Sequence, residues 1–325
     1  MITILGAGSV GCHIGGMLAT AGHPVVLIGR AALLQDLAQG LHVSTLDGAQ
    51  HHATPTVTDD PAALAQATLI LLCVKSADTE NAARLIAEHA PADIPVISLQ
   101  NGVTNSARLA EVLGAKRVVA GMVGYNVVRR APDHFAQTTE GEIVLAAAGA
   151  PLRDLLAGTP ITARCHPDMP GVQWSKLLMN LNNALNALSG LPLRDQLQDR
   201  GWRRVLAACI AEGLTVARAE GIRLERIGKL HPRALPFLLR LPNFIFQRLA
   251  RPILRIDPAA RSSMADDYAL GRPSEISWLN GHIVMQARAM GISAPINAKV
   301  CALVSSAFAN KARPPLHMDA TAVLK

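Results

Sequence analysis

Lys176 and Asn180 stand one helical turn apart in the run Trp174-Ser175-Lys176-Leu177-Leu178-Met179-Asn180, which puts both on one face of a helix. An ammonium in such a place polarises a carbonyl and supplies a proton to it. Asn183 and, roughly, Asn186 continue along that side. Asparagine is a mediocre helix former, so four of them between positions 180 and 186 need partners. Substrate, a cofactor amide or a facing domain would each serve, and packing between domains explains the row as well as a ligand does. A second polar group is Ser262-Ser263-Met264 with Glu275; Asp266 and Asp267 lie between, after Pro258. Ser263 at a helix N-terminus would hold a carboxylate, while simple capping by Ser262 and Ser263 is the equal alternative.

A different chemistry opens the chain. Gly6-Ala7-Gly8-Ser9-Val10-Gly11 follows an apolar strand directly and leads into a helical stretch, the context in which GxGxxG binds the pyrophosphate of a dinucleotide. Gly6 permits the tight turn, Gly8 the approach of backbone to phosphate, and Gly11 the close packing of helix on strand. Ser9 and Val10 begin the helix whose N–H groups and dipole face the anion. The end of the second strand reads Gly29-Arg30, with no acid before Asp36. An NAD enzyme places Asp or Glu there for the ribose hydroxyls; Arg30 instead suits the extra phosphate of NADP. Lys75 and Asn101-Gly102 follow two further apolar runs, where the strand ends of a doubly wound sheet meet ligand.

The elements that must carry these residues alternate at first. Ile2–Leu5, Val25–Ile28, Leu69–Val74, Val96–Leu99 and Val118–Met122 read as strands, and Ala31–Leu37, Ala62–Ala67 and Thr79–His89 as helical. That alternation predicts a mostly parallel sheet covered on both faces. Val43–Leu46 and Ile143–Leu145 read as additions at its edge. Around Cys165-His166-Pro167-Asp168-Met169-Pro170-Gly171 the texture changes, which divides the chain into residues 1–167 and 168–325. The second part reads as all helical, with Gln173–Ser189, Trp202–Glu220, Ser274–Met290 and Ala298–Lys311 as its helices. From Arg313 on there is little periodicity, and a poorly ordered tail is expected.

Half of the 325 residues are hydrophobic and 17% are charged, which excludes wholesale disorder. No apolar run reaches the ~18–20 residues of a membrane span, and Ile2–Leu5 is already a strand, so no leader is expected. Five scattered cysteines (Cys12, Cys73, Cys165, Cys209, Cys301) form no CxxC, so neither a disulfide framework nor a metal site is indicated; a reduced, cytoplasmic enzyme is expected. The net charge of +7 is local: Arg223 to Arg261 holds nine Arg and Lys against two acids, a surplus of seven, and the rest of the chain is formally neutral. With aromatics at 3% and no binding motif, nucleic acid is not an expected partner.

Taken in order, the GxGxxG opening, Val74-Lys75, Gln100-Asn101-Gly102, Lys176 with Asn180, Ser262-Ser263-Met264 running to Glu275, Asn280-Gly281, and Gly291-Ile292-Ser293-Ala294-Pro295-Ile296-Asn297 resemble the ketopantoate reductase family. The resemblance covers nearly the whole chain. It implies an α/β Rossmann-like N-terminal domain and an all-α C-terminal domain like that of 6-phosphogluconate dehydrogenases. It also implies NADPH as cofactor, a small 2-keto acid as substrate, and a homodimer as a permitted assembly. In the roles it implies, Lys176 is the general acid, Glu275 accepts a hydrogen bond from the substrate hydroxyl, and Ser263 holds the carboxylate. Asn101 lies between nicotinamide and substrate, Asn180 and Asn183 line the site, and Lys75 and Glu275 reach its cofactor side.

Two departures stand out. The family carries a further substrate-facing Asn four residues after the one at 180, where this chain has Ala184, and Arg194 replaces another expected amide. The stretch from Gly221 to Ala260, with Phe237, Phe244 and Phe246, is longer than the minimal pattern. It reads as a lid or a subunit contact; Pro232, Pro236, Pro242 and Pro252 would break any helix lying along a membrane. A related reductase of another branched 2-keto acid is the rival reading. A catalytically silent NADP sensor is the other, and it predicts loss of the proton donor, which is present.

Overall fold

The computed structural model describes residues 1–227, 231–250, 260–310 and 312–324. Pro252, Pro258, Lys311 and the parts of the basic stretch at 228–230 and 251–259 lie outside the described residues. The chain forms two compact units, Met1–Met169 and Pro170–Lys325.

The first unit runs β1 (Ile2–Leu5), α1 (Ser9–Thr20), β2 (Val25–Ile28), α2 (Ala31–Asp36), β3 (Leu41–Ser44), β4 (Gln50–Ala53), β5 (Thr56–Thr58), β6 (Leu69–Leu72), α3 (Thr79–His89), β7 (Val96–Ser98), α4 (Asn105–Leu113), β8 (Val118–Val123), β9 (Val127–Ala131), β10 (His134–Gln137), β11 (Ile143–Leu145), α5 (Ala150–Leu156) and β12 (Ala163–Cys165). Eight strands make one sheet in the order β12-β11-β8-β7-β6-β1-β2-β5. Every pairing in it is parallel except β8 with β11.

The strands read as unbroken apolar runs because both faces are buried. Val25, Leu27, Leu69 and Leu71 enter one core cluster, while Val26, Ile28, Ile70 and Leu72 point the other way into a second. The order reverses at β1, whose two neighbours are β2 and β6, so the glycine loop sits at the topological switch point.

Two expectations need correction. Val43–Leu46 is not an edge of this sheet: β3 belongs to a separate four-stranded sheet, β4-β3-β10-β9. Its strands are short and partly polar, as in Gln50-His51-His52, so their apolar signal is weak. Ile143–Leu145 lies one strand in from the edge, between β8 and β12. The stretch Ala62–Ala67 is helical as expected, in 3-10 form over Pro61–Gln66, capped by the Asp60 carboxylate accepting from the Ala62 N–H.

The second unit is helical: α6 (Met169–Asn180), α7 (Asn182–Ser189), α8 (Leu193–Gln198), α9 (Arg200–Ala219), α10 (Leu235–Arg240), α11 (Asn243–Leu249), α12 (Ser263–Ala269), α13 (Asn280–Ala289), α14 (Pro295–Ala309) and α15 (Thr321–Leu324). The central α9 is capped by Asp199, whose carboxylate accepts from the Trp202 N–H. It buries Val205, Leu206, Cys209, Ile210, Gly213, Val216 and Ala217 at helical spacing. At Gly213 a Cβ would lie 2.5 Å from Leu178 Cδ2 and 3.5 Å from Ile283 Cδ1, so α9 touches α6 and α13 through a bare backbone.

Arg203 of α9 is fully buried, which is rare for its type. Its guanidinium donates to the carbonyls of Leu239, Leu241 and Leu197 at 3.1–3.3 Å and to Asn243 Oδ1 at 2.7 Å, and it lies 4.0 Å over the Phe246 ring. One side chain thereby fastens α10 and α11 to α9. The tail is a further correction, because it packs rather than wanders. Arg313 donates to the carbonyls of Asp267, Tyr268 and Arg272, the Met318 N–H donates to Leu188 O, and Val323 is buried.

Candidate functional site

In the first unit the expected cofactor residues gather at one edge. β1, β2 and β6 end level, with Leu5 paired to both Ile28 and Leu72, and Leu72 faces Ser98 of β7. The loops that follow carry Gly6–Gly11, Gly29-Arg30, Val74-Lys75 and Gln100-Asn101. Gly6 has φ +103°, and a Cβ there would lie 2.5 Å from Val74 N. A Cβ at Gly11 would lie 2.4 Å from Gly6 O. Both positions therefore exclude a side chain. Gly8, by contrast, is exposed, and a Cβ there would meet nothing within 4 Å.

Gly8 is also the N-cap of α1, with no side chain capping the helix. The N–H groups of its first turn, including Ser9 and Val10, have no partner within the helix by geometry. An open, dipole-positive cradle of this kind fits a pyrophosphate.

Arg30 caps α2 by position, is exposed, and makes no side-chain cap bond. The preceding Gly29 is demanded by packing, since its Cβ would lie 2.7 Å from Leu33 Cδ2 and 3.0 Å from Ala7 Cβ. The nearest downstream acid is taken: Asp36 accepts from Arg129 at 2.6 Å.

A polar lattice that sequence reading missed holds the other two loops. Gln100 is buried and donates to Val74 O at 3.2 Å and Thr79 Oγ1 at 2.8 Å. Asn105 donates to Ser76 Oγ at 3.0 Å and to Asn101 O at 2.6 Å. The segments around Lys75 and Asn101 are thus locked to each other, while the two side chains named as candidates are themselves exposed.

In the second unit Lys176 and Asn180 lie on α6. Lys176 is half-buried between the buried Ser175 and Leu177, and burial pushes its ammonium down to about 8 from 10.5. Ser175 Oγ accepts from the Glu225 N–H at 2.9 Å, and Trp174 packs on His282 of α13 with ring centroids 5.5 Å apart. Asn180 and Glu275 are buried. Glu275 precedes the 3-10 turn Ile276–Trp278, whose last N–H donates to its carbonyl at 3.0 Å.

The asparagine row divides, because the helix breaks between α6 and α7 at Leu181. Asn186 is fully buried and donates to Leu191 O and Gln196 Oε1, while its own Oδ1 accepts from the Ser262 N–H at 2.8 Å. Asn182 exchanges hydrogen bonds with the same Gln196. These two amides serve the scaffold, not a ligand. Asn183 is partly exposed, and its carbonyl accepts from Ser262 Oγ at 3.0 Å. Ser262 is also the cap of α12, accepting from the Ala265 N–H, and that leaves Ser263 exposed at the first helical position.

The C-terminal motif Asn280 with Asn297 is a buried brace as well. Asn280 donates to Asn297 Oδ1 at 2.9 Å, and Glu212 of α9 accepts from the backbone N–H groups of Ile296 and Asn297, both at 2.9 Å, closing the N-terminus of α14. Glu212 escaped the sequence reading because its partners Ile296 and Asn297 are remote in sequence, and Gln196 because its partners Asn182 and Asn186 lie on the preceding helix; the only local hint was a lone acid beside the apolar face of α9. Among the described residues, no group of three or more His, Cys, Asp or Glu is arranged to hold a metal, and no helix is long and apolar enough to cross a membrane.

The description "Ketopantoate reductase PanE/ApbA" matches residues 2–149, and its C-terminal counterpart matches residues 168–307. A 2-dehydropantoate 2-reductase of Halobacterium salinarum is 30% identical over 315 residues, which cover 93% of this chain and 97% of that protein. The chain belongs to the ketopantoate reductase family. A solved ketopantoate reductase of this family from Ralstonia eutropha is 33% identical, with a TM-score of 0.81 over 96% of this chain and 100% of its own. The fold extends further: D-mandelate dehydrogenase, solved with NADH and anilino(oxo)acetate, superimposes with a TM-score of 0.80 at 19% identity, covering 96% of this chain and 100% of its own. The Lys176, Asn180 and Glu275 elements of this ketopantoate reductase family member all fall within the C-terminal match.

Proposed function

We propose that the protein is a 2-dehydropantoate 2-reductase, reducing the 2-keto group of ketopantoate to the alcohol of pantoate with NADPH. The observation that carries this reading is Lys176, a lysine on α6 whose ammonium burial holds at about 8, in a chain of this family. A nicotinamide cofactor goes with the family; the choice of NADPH rests on Arg30, exposed where an acid would otherwise stand.

When bound, the cofactor supplies hydride to C2 of the keto acid. Lys176 polarises the carbonyl and passes its proton to the oxygen as negative charge develops there, then regains a proton from water. Glu275 accepts a hydrogen bond from the substrate hydroxyl, and Ser263 holds the carboxylate. Asn101, Asn180 and Asn183 orient the reacting groups, and Lys75 works on the cofactor side. In this assignment residues 1–167 bind the cofactor and 168–325 the substrate.

The test is NADPH oxidation by the purified protein across a panel of branched 2-keto acids. Ketopantoate is expected to give the highest kcat/KM. A higher value for another acid would establish a second reading, a related reductase of a different 2-keto acid. That reading is favoured by Ala184, which is fully buried and apolar where the family pattern has an amide.

A further inference from the structure

The basic stretch borders a hollow that the proposed reaction does not use. An open pocket of about 570 Å³ lies between α9 and the segment ending in α10, a size typical of small-molecule sites. Leu214 and Arg218 line it from α9, and Arg233, Phe237, Arg240 and Leu241 from the other side; no lining residue is acidic. Among the described residues, none of the three guanidiniums has a hydrogen-bond or ion-pair partner. A second hollow of about 140 Å³ shares Leu214, Arg218 and Arg233 and continues to Ile222 and Leu224, which lengthens the space into a groove.

We infer that this groove binds a small anionic amphiphile, a carboxylate or phosphate monoester on an elongated apolar body. The charged end would be met by arginine forks, which pair with carboxylate and phosphate oxygens in a bidentate way. The apolar end would cover Leu214, Leu241 and the Phe237 ring, which is left 74% exposed. A second copy of the chain is a poor occupant, because a twofold pairing of this face would set each arginine cluster against its own duplicate.

The probe is decyl phosphate below its micellar concentration, titrated calorimetrically into the intact protein, with inorganic phosphate and decanol as the separate halves of the ligand. One site per chain is expected, about tenfold or more tighter for decyl phosphate than for either half, and weaker at high salt. Arg233→Gln with Arg240→Gln is expected to lose about tenfold or more of that affinity while melting temperature and ketopantoate turnover stay unchanged. Absence of saturable binding, unaltered affinity in the doubly substituted protein, or phosphate binding as tightly as decyl phosphate would each overturn the inference. So would sedimentation of the protein with phosphatidylglycerol vesicles through the same arginines without binding of the monomeric probe.

Discussion

A lysine that titrates near 8 is a proton donor with a narrow working range. Lys176 starts from 10.5 and is pushed down to about 8 by burial, so its donor form is the ammonium, present below that pH. Reduction is expected to be flat in kcat below about pH 8 and to fall about tenfold per unit above it, whereas pantoate oxidation, which needs the free amine, should rise through the same range. Lys176→Ala should remove that titration from both profiles and lower kcat by about 10²–10⁴-fold while NADPH still binds. Glu275→Ala has a different signature: kcat/KM should drop by about 10–100-fold for keto acids bearing the hydroxyl, and much less for those lacking it. Stopped-flow and steady-state rates on paired substrates separate the two. At Arg30, substitution by Asp should erase most of the preference for NADPH over NADH, measured as the ratio of dissociation constants; equal affinities in the unaltered protein would refute the NADP assignment. The roles of glycine were legible in the sequence because backbone geometry admits no other residue at Gly6 and Gly11. The roles of asparagine were not. The same amide serves a ligand or a scaffold, and only Gln196 on the next helix and Ser262, distant along the chain, decided the matter for Asn182 and Asn186.

At the scale of elements, the strands β1, β2, β6, β7 and β8 were readable because burial on both faces leaves short runs rich in Val, Ile and Leu. Strands β4, β5, β9 and β10 carry polar residues and were invisible to the same test. Likewise the break at Leu181 lies inside a continuous helical pattern, since periodicity records which face is buried and not where a helix bends. The braces between elements give the sharpest expectations here. Gly6→Ala would drive a methyl against Val74 N and force φ +103° on a residue with a Cβ, so NADPH affinity should fall about tenfold or more with a lower melting temperature. Glu212 closes the first turn of α14 through two backbone N–H groups and the Asn297 amide. Its replacement by alanine should cost about 2–4 kcal/mol in urea unfolding, given what a charge-assisted bond contributes and what orphaned buried donors forfeit. The amide of Glu212→Gln should recover part of that loss.

For the molecule as a whole, binding at the glycine cradle is coupled to unfolding by mass action. NADPH at a hundred times its dissociation constant should stabilise the protein by about 2.7 kcal/mol, seen as a rise in melting temperature that NADH at equal concentration does not match. The crossing at Gly190 reaches into a different part of the protein's life. Leu316 O lies where a Cβ of Gly190 would have to be, and the Met318 N–H closes on Leu188 O. The turn after α7 is therefore covered by residues that leave the ribosome long after it does. Until they arrive, a nascent chain holds α7 and α9 with that covering absent and the pocket for Val323 empty, a state open to proteases and to neighbouring chains. Quality control during synthesis, more than the stability of the finished enzyme, would be the first to register a lesion in this tail.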